Sequence, residues 1–195
     1  MMPKYVVLTG GPGAGKTAVL EMIRNGLCPH VAVLPEAASI IFKGGFLREP
    51  SLPGRKAAQR AIFHVQREHE RIFQYHKDIK VVLCDRGTLD GLAYWPNSIL
   101  SFFEELETKR EHELKRYATV IHLRSPNSTM GYNHENPDRI EQAEEAARID
   151  DKILEVWEGH PARFFVNSNV DFIKKAHDAI ELLKRELPTC CAVKF

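Results

Sequence analysis

Short apolar runs alternate along the chain with longer stretches of 3.6-residue periodicity. Lys4-Tyr-Val-Val-Leu-Thr9 reads as a first strand that ends in glycines, and a helical pattern follows through Leu20, Ile23 and Leu27. Val31–Leu34 predicts a second strand. Beyond a Gly/Pro-rich stretch (Gly44-Gly45, Pro50, Pro53-Gly54), a long helix is expected from about Lys56 to His76. Its apolar stripe is Ala58, Ile62, Val65, Ile72 and Phe73. Val81–Cys84, Thr119–Leu123 and Arg163–Val166 predict strands three, four and five. Asn136-Pro137 has the N-cap and first-turn signature of a helix reaching about Glu158, with Gly159 and Pro161 as stop signals. A last helix carries Ile173, Ala176, Ile180, Leu183 and Leu187 on one face, and Pro188 ends it. Apolar strands without alternation, separated by helices, specify a parallel sheet covered on both sides. One α/β domain over residues 1–187, followed by a tail over 188–195, accounts for the pattern.

Composition narrows the class. With 195 residues, 44% hydrophobic and 27% charged, the chain suits one soluble domain and excludes disorder or a fibrous repeat. The longest apolar runs are four or five residues, too short to span a bilayer. A strand beginning at residue 4 leaves no room for a signal peptide, so a cytoplasmic location is expected. A net charge of +1 gives no global attraction to nucleic acid or anionic lipid, and neither is expected as a partner. Cys28, Cys84, Cys190 and Cys191 have no zinc-knuckle spacing, and reduced thiols are expected. His64, His69 and His76 share the long helix without the i, i+4 spacing of a helical zinc site, so no metal is expected beyond Mg²⁺ carried with a nucleotide.

The sharpest chemistry lies after the first strand. Gly10-Gly11-Pro12-Gly13-Ala14-Gly15-Lys16-Thr17 fits G-x-x-x-x-G-K-[ST] between an apolar strand and an amphipathic helix. Glycines let successive N–H groups converge on phosphate oxygens, and the helix N-terminus adds its positive dipole end. Gly11, Pro12, Gly13, Ala14, Gly15, Lys16, Thr17 and Ala18 are therefore expected to bind the nucleotide phosphates. Lys16 reaches the β- and γ-phosphates in such loops, and the Thr17 hydroxyl ligates Mg²⁺. ATP is the expected nucleotide. GTP stays open because no base-reading motif is visible, although the Asn-Lys-x-Asp segment of Ras-like GTPases is absent.

Ligands of an open parallel sheet bind at the carboxyl ends of its strands. Pro35-Glu36-Ala37, Asp85-Arg86-Gly87, Arg124-Ser125-Pro126 and Asn167-Ser168-Asn169 follow strands two to five, so all are expected on one edge with the loop. Asp85 is the expected second Mg²⁺ carboxylate, and Arg124 and Asn167 are expected on the nucleotide side. Arg86 stands where motor and ring ATPases place a water-polarising glutamate. A guanidinium cannot act as a base, but it can bind an anionic acceptor or hold a carboxylate. Glu36 has two readings: a carboxylate that orients the acceptor, or a helix N-terminal acid that stabilises the dipole.

These segments, with Asp85-Arg86-Gly-Thr-Leu-Asp-Gly-Leu-Ala-Tyr94, resemble the small AAA-type P-loop ATPase/kinase family. That family is related to the ribosylnicotinamide-kinase domain of bacterial nicotinamide-nucleotide regulators and, more distantly, to deoxynucleoside and thymidylate kinases. The resemblance runs from about residue 4 to 187. It implies a three-layer P-loop NTPase fold of the nucleoside/nucleotide-kinase type, with a five-stranded parallel sheet and a lid at about 125–148. It also implies that Glu36 and Arg86 sit at the acceptor pocket and that lid arginines close over the γ-phosphate. Arg139 and Arg148 are half a turn out of phase on a continuous helix, and Arg139, near its N-terminus, is the better placed.

The implied activity is Mg²⁺-dependent transfer of the ATP γ-phosphate to a small acceptor of nucleoside, nucleotide or riboside type. The alternative is a nucleotide-binding switch or slow NTPase without such an acceptor. An oligomeric AAA+ motor needs a further helical domain that 195 residues do not supply. Lys56, Arg60, Arg67 and Arg71 on the long helix either hold a phosphorylated acceptor or form a solvated face with Glu68 and Glu70. Phe63 and Gln66 either contact a ring or belong to the core and surface.

Overall fold

The computed structural model describes residues 2–125, 143–168 and 171–191. Five strands, β1 (Lys4–Thr9), β2 (Val31–Leu34), β3 (Val81–Asp85), β4 (Thr119–Leu123) and β5 (Arg163–Val166), form one sheet of order β2-β3-β1-β4-β5. Every pairing is parallel. Around the sheet lie α1 (Lys16–Arg24), α2 (Ala37–Lys43), α3 (Leu52–Phe73), α4 (Ile99–Glu105), α5 (Arg110–Leu114), α6 (Ala143–Val156) and α7 (Phe172–Lys184). A 3-10 helix over Thr88–Tyr94 follows β3.

Strand parity builds the two apolar layers. Tyr5 and Val7 of β1 pack with Phe63, Leu89, Phe102, Ile149, Ile153 and Trp157. Val6 and Leu8 point the other way, onto Val19, Leu20, Ile23, Ala176, Ile180 and Leu183. Helices α3, α4 and α6 thus cover one face, and α1 and α7 the other. Among the described residues no helix is long and apolar enough to cross a membrane.

The strands fall where the apolar runs predict them, but several helix details differ. The long helix begins at Leu52, inside the stretch read as a loop. Ser51 caps it, its Oγ accepting from the Gly54 N–H at 3.3 Å, and Pro53 sits in the first turn, where no N–H is needed. Its buried face is Ala58, Phe63, Gln66 and Glu70, while Ile72 of the expected stripe is 53% exposed. Polar side chains displaced apolar ones there because each finds partners. Gln66 Nε2 donates to Glu70 Oε1 at 2.9 Å, Tyr117 OH donates to Glu70 Oε1 at 2.8 Å, and Arg116 pairs with the same carboxylate.

Glu70 therefore belongs to a buried network and not to a solvated face. The helix cations are likewise engaged: Lys56 and Arg60 with Glu105, Arg67 with Glu113, Arg71 with Glu68. Phe63 is a core residue, edge-on to Phe102. Ile173, expected on the buried face of the last helix, is 69% exposed, and Asp171 caps that helix by accepting from the Lys174 N–H at 3.0 Å. β5 is an edge strand with Phe164 and Phe165 partly open to solvent, so covering of the sheet is incomplete there. No hydrophobic pattern announced α2, α4 or α5. Each spans seven residues or fewer, too short for a helical stripe to register. Most of the expected lid, Arg139 and the start of the helix assigned to Asn136-Pro137 lie outside the described residues.

Candidate functional site

The strand ends converge on one edge, as parallel pairing demands. At its centre the segment Gly10–Thr17 joins β1 to α1. Gly10, Gly13 and Gly15 take positive φ of 137°, 72° and 89°, conformations closed to most side chains. Space is as restrictive as conformation: a Cβ on Gly10 would stand 2.0 Å from the Leu123 carbonyl oxygen. Lys16 is buried, and its Nζ donates to the Gly10 and Gly11 carbonyls at 3.0 and 2.9 Å. This folds the ammonium back over the loop.

Thr17 in the first turn of α1 meets Asp85 at the end of β3, Thr17 Oγ1 donating to Asp85 Oδ2 at 2.7 Å. Asp85 Oδ1 is buried and has no hydrogen-bond partner. Burial is the largest influence on this carboxyl and raises its pKa against the opposing charge of Lys16. A desolvated carboxylate oxygen with no donor, beside a hydroxyl, is the donor set of a hard divalent cation such as Mg²⁺.

Next to it Arg86 has φ of 73°, a left-handed conformation that costs a non-glycine residue roughly 1–2 kcal/mol. Several contacts hold it there. Its Nε donates to Glu36 Oε1 at 2.7 Å, its Nη1 donates to the Gly10 carbonyl at 3.0 Å, and its own carbonyl accepts from Gln66 Nε2 at 3.3 Å. Asp90 lies 3.5 Å from the same Nη1 and bonds to the Gly87 N–H at 2.8 Å and to the Thr9 hydroxyl. Gln66, read as a possible ring contact, thus braces the Arg86 backbone.

Glu36 also accepts from Ser39 Oγ at 2.6 Å. Burial would raise its pKa, but Arg86, Lys16 and the Ser39 hydroxyl outweigh it and bring the carboxyl from 4.5 to about 2. A depressed carboxyl contributes stability above its unfolded pKa and loses it as pH falls toward the folded value. The full contribution is about 3 kcal/mol. The stability difference between the wild-type protein and Glu36→Gln should therefore shrink by about that amount between pH 5 and pH 2. Urea unfolding at a series of pH values measures it, and a constant difference would show that the ion pair does not hold the carboxylate.

Two expected residues sit differently from a simple nucleotide contact. The Gly11 N–H donates to Asp150 Oδ1 at 2.7 Å, and the Arg124 guanidinium lies 3.1 Å from Asp150 and 2.9 Å from Asp151. Asn167 is exposed at the end of β5, and Pro12, Ala14 and Ala18 lie in or just after the loop. Arg148 is a surface residue paired with Glu145.

A family profile described as "AAA domain" matches residues 5–174, most of the chain and all of the site just described. The chain belongs to the AAA domain family of P-loop NTPases. No curated protein matches it. Among solved structures it is similar to a thymidylate kinase from Ehrlichia chaffeensis, with a TM-score of 0.61 and 15% identity over 94% of this chain and 100% of that one. At that identity the likeness establishes a shared kinase-like α/β fold.

Within this AAA domain, sequence reasoning missed Asp150 and Asp90, and just beyond its last matched residue it missed Lys175. Asp150 projects from α6 and ties Gly11, His122 Nε2 (2.8 Å), the Ser125 N–H (3.2 Å) and Arg124 together, bracing the loop from behind. Burial acts to raise its pKa, but the His122 contact and the Gly11 N–H hold it below the usual value. Lys175 of α7 donates to the Arg124 carbonyl at 2.5 Å, and burial lowers its pKa to about 8. Asp90 stands in the Asp85-Arg86-Gly-Thr-Leu-Asp-Gly91 segment, which carried the family resemblance without a role attached to Asp90. Asp150 and Lys175 carry no local motif, because their partners come from other elements.

Proposed function

We propose that the protein is a Mg²⁺-dependent phosphotransferase that moves the γ-phosphate of ATP to a small acceptor of nucleoside, nucleotide or riboside type. The observation that carries this reading is the Asp85-Arg86 pair, where a clamped guanidinium occupies the place beside the metal carboxylate. A permanently charged guanidinium cannot take a proton from water, so the site lacks a hydrolase's base there, and the guanidinium instead holds the Glu36 carboxylate in place.

Thr17 and Asp85 would hold Mg²⁺, and the partnerless Asp85 Oδ1 supports the fit. The metal, when bound, neutralises charge on the β- and γ-phosphates. Lys16 adds its ammonium to the same phosphates, and the N–H groups of Gly13 and Gly15 cradle them at the start of α1, while the Ala14 N–H is taken by the Gly11 carbonyl at 3.3 Å. Gly11, whose N–H is held by Asp150, shapes the loop. A carboxyl with a pKa of about 2 is a weak base at neutral pH. Glu36 therefore accepts a hydrogen bond from the acceptor hydroxyl and orients it, with Arg86 fixing its angle. A loose phosphoryl-transfer transition state depends on such positioning more than on a strong base.

The test is ADP release from Mg²⁺·ATP alone and with pooled nucleosides, nucleotides and ribosides. A jump with one pool supports the transferase. Turnover indifferent to every pool would favour the nucleotide-binding switch or slow NTPase. Asp85→Asn should cut acceptor-dependent turnover on the order of 10²-fold and raise the Mg²⁺ concentration needed for half-maximal rate. An unchanged Mg²⁺ dependence would remove Asp85 from the metal site.

A further inference from the structure

At the opposite end of the sheet from the phosphate loop, the turn that leads into β2 meets the segment that follows α7. Cys28 and His30 come from the first, Cys190 from the second. Their ligand atoms form a triangle: Cys28 Sγ to Cys190 Sγ is 3.9 Å, Cys28 Sγ to His30 Nδ1 is 3.7 Å, and Cys190 Sγ to His30 Nδ1 is 3.3 Å. All three atoms can reach one ion.

These distances have a physical scale to be judged against. A tetrahedral Zn²⁺ with Zn–S of about 2.3 Å and Zn–N of about 2.0 Å sets S···S edges of roughly 3.8 Å and S···N edges of roughly 3.6 Å. The observed triangle agrees to within about 0.3 Å on every edge. A disulfide needs sulfurs about 2.05 Å apart, so Cys28 and Cys190 stand at ligand spacing and not at bonding distance. Two thiolates and an imidazole also reject Mg²⁺ and Ca²⁺, which take oxygen ligands.

The backbone around the triangle is secured before any ion arrives. The Cys28 N–H donates to Cys191 Sγ at 3.0 Å, and the Cys28 carbonyl accepts from the Val31 N–H at 3.0 Å. The His30 carbonyl accepts from Lys80 N–H at 2.8 Å, and Cys191 closes a turn onto the Pro188 carbonyl at 2.8 Å. Buried Cys191 thus supports Cys28 from behind and leaves the three ligands pointing at one another. An open groove lined by Arg24, Leu27, Pro29, Val31 and Val33 runs alongside Cys28 and provides access for an ion.

We infer that Cys28, His30 and Cys190 form a Zn²⁺ site, with water in the fourth position, that fastens the segment after α7 to the turn before β2. Binding releases the two thiol protons and involves no redox change, since Zn²⁺ keeps its oxidation state. The site is independent of the nucleotide reading, because it shares no residue with the phosphate loop.

Cobalt substitution tests it. The full chain, reduced and freed of metal by a chelator, is titrated with Co²⁺ and then with Zn²⁺. One equivalent of Co²⁺ should produce thiolate-to-cobalt charge transfer together with the strong ligand-field bands of a four-coordinate ion, and Zn²⁺ should displace both. Cys28→Ser and Cys190→Ser should each lose about half the charge-transfer intensity, the double variant all of it, and Cys84→Ala none. His30→Ala should keep the charge transfer but need more Co²⁺ to reach it. Far-UV circular dichroism identifies variants that fold, and the wild-type titration stands without any variant. Absence of the bands in reduced wild-type protein would overturn the site, as would bands that survive in the folded double variant.

Discussion

Lys16→Ala should abolish the thermal stabilisation of the protein by Mg²⁺·ATP and lower phosphoryl transfer by on the order of 10³-fold. Two features of the site make the effect large. The ammonium is buried and held over the Gly10 and Gly11 carbonyls, so it is preorganised where phosphate charge would be placed and acts through little water. Its loss also removes a nearby cation that opposes protonation of Asp85 and Glu36. The fold should survive, because the two buried carbonyls it leaves keep other donors: Gly10 accepts from Arg86 Nη1 at 3.0 Å and Gly11 from the Ala14 N–H at 3.3 Å. A thermal-shift series with and without Mg²⁺·ATP, run beside far-UV circular dichroism, separates the outcomes. Stabilisation equal to that of the wild type would sink the assignment of the loop as the nucleotide site.

Arg86→Ala should cost about 3–5 kcal/mol of unfolding free energy, because it leaves carboxylates without their cation in a desolvated place. Glu36 and Asp90 face the guanidinium at 2.7 and 3.5 Å, and their side chains are only 18% and 3% exposed. The Gly10 carbonyl loses one of its two donors at the same time and keeps Lys16 Nζ. Backbone conformation supplies an internal control. Since residue 86 has φ of 73°, Arg86→Gly should be less destabilising than Arg86→Ala by about 1 kcal/mol, although both lack the charge. Urea unfolding of the three proteins measures both quantities. A loss below about 1 kcal/mol in Arg86→Ala would mean that the pair is solvated and does not support the site. Equal losses in the two variants would mean that the backbone relaxes when the side chain is gone.

The phosphate loop was legible because its chemistry is local. Glycines at set spacing, a lysine and a threonine between a strand and a helix need no distant partner to be recognised, and Gly10, Gly13 and Gly15 take the conformations that their residue type permits. The five strands were legible for a related reason: runs such as Val81–Cys84 are apolar at every position because both faces of a parallel sheet are covered. Asp85 and Arg86 could be placed because strand ends of a parallel sheet share one edge.

Helix faces were read less well where polar residues are buried. Ile72 looked like core and Glu70 like surface, and the structure reverses them, since Arg116 and Tyr117 arrive from a distant segment to satisfy the carboxylate. Hydrophobicity measures the cost of desolvation but not the partners that offset it.

From its sequence alone, then, the chain determined a parallel α/β sheet, a phosphate loop after the first strand, and polar groups gathered on the carboxyl edge. These follow from backbone geometry, from short unbroken apolar runs and from a periodicity of 3.6 residues, which depend on near neighbours. Only the tertiary structure decided that Asp150 braces Gly11, that Gln66 supports the strained Arg86, and that Cys190 meets Cys28 and His30 across 162 and 160 residues of chain. Each is an interaction between groups far apart in sequence, set by how separate elements pack, and no spacing along the chain encodes that distance.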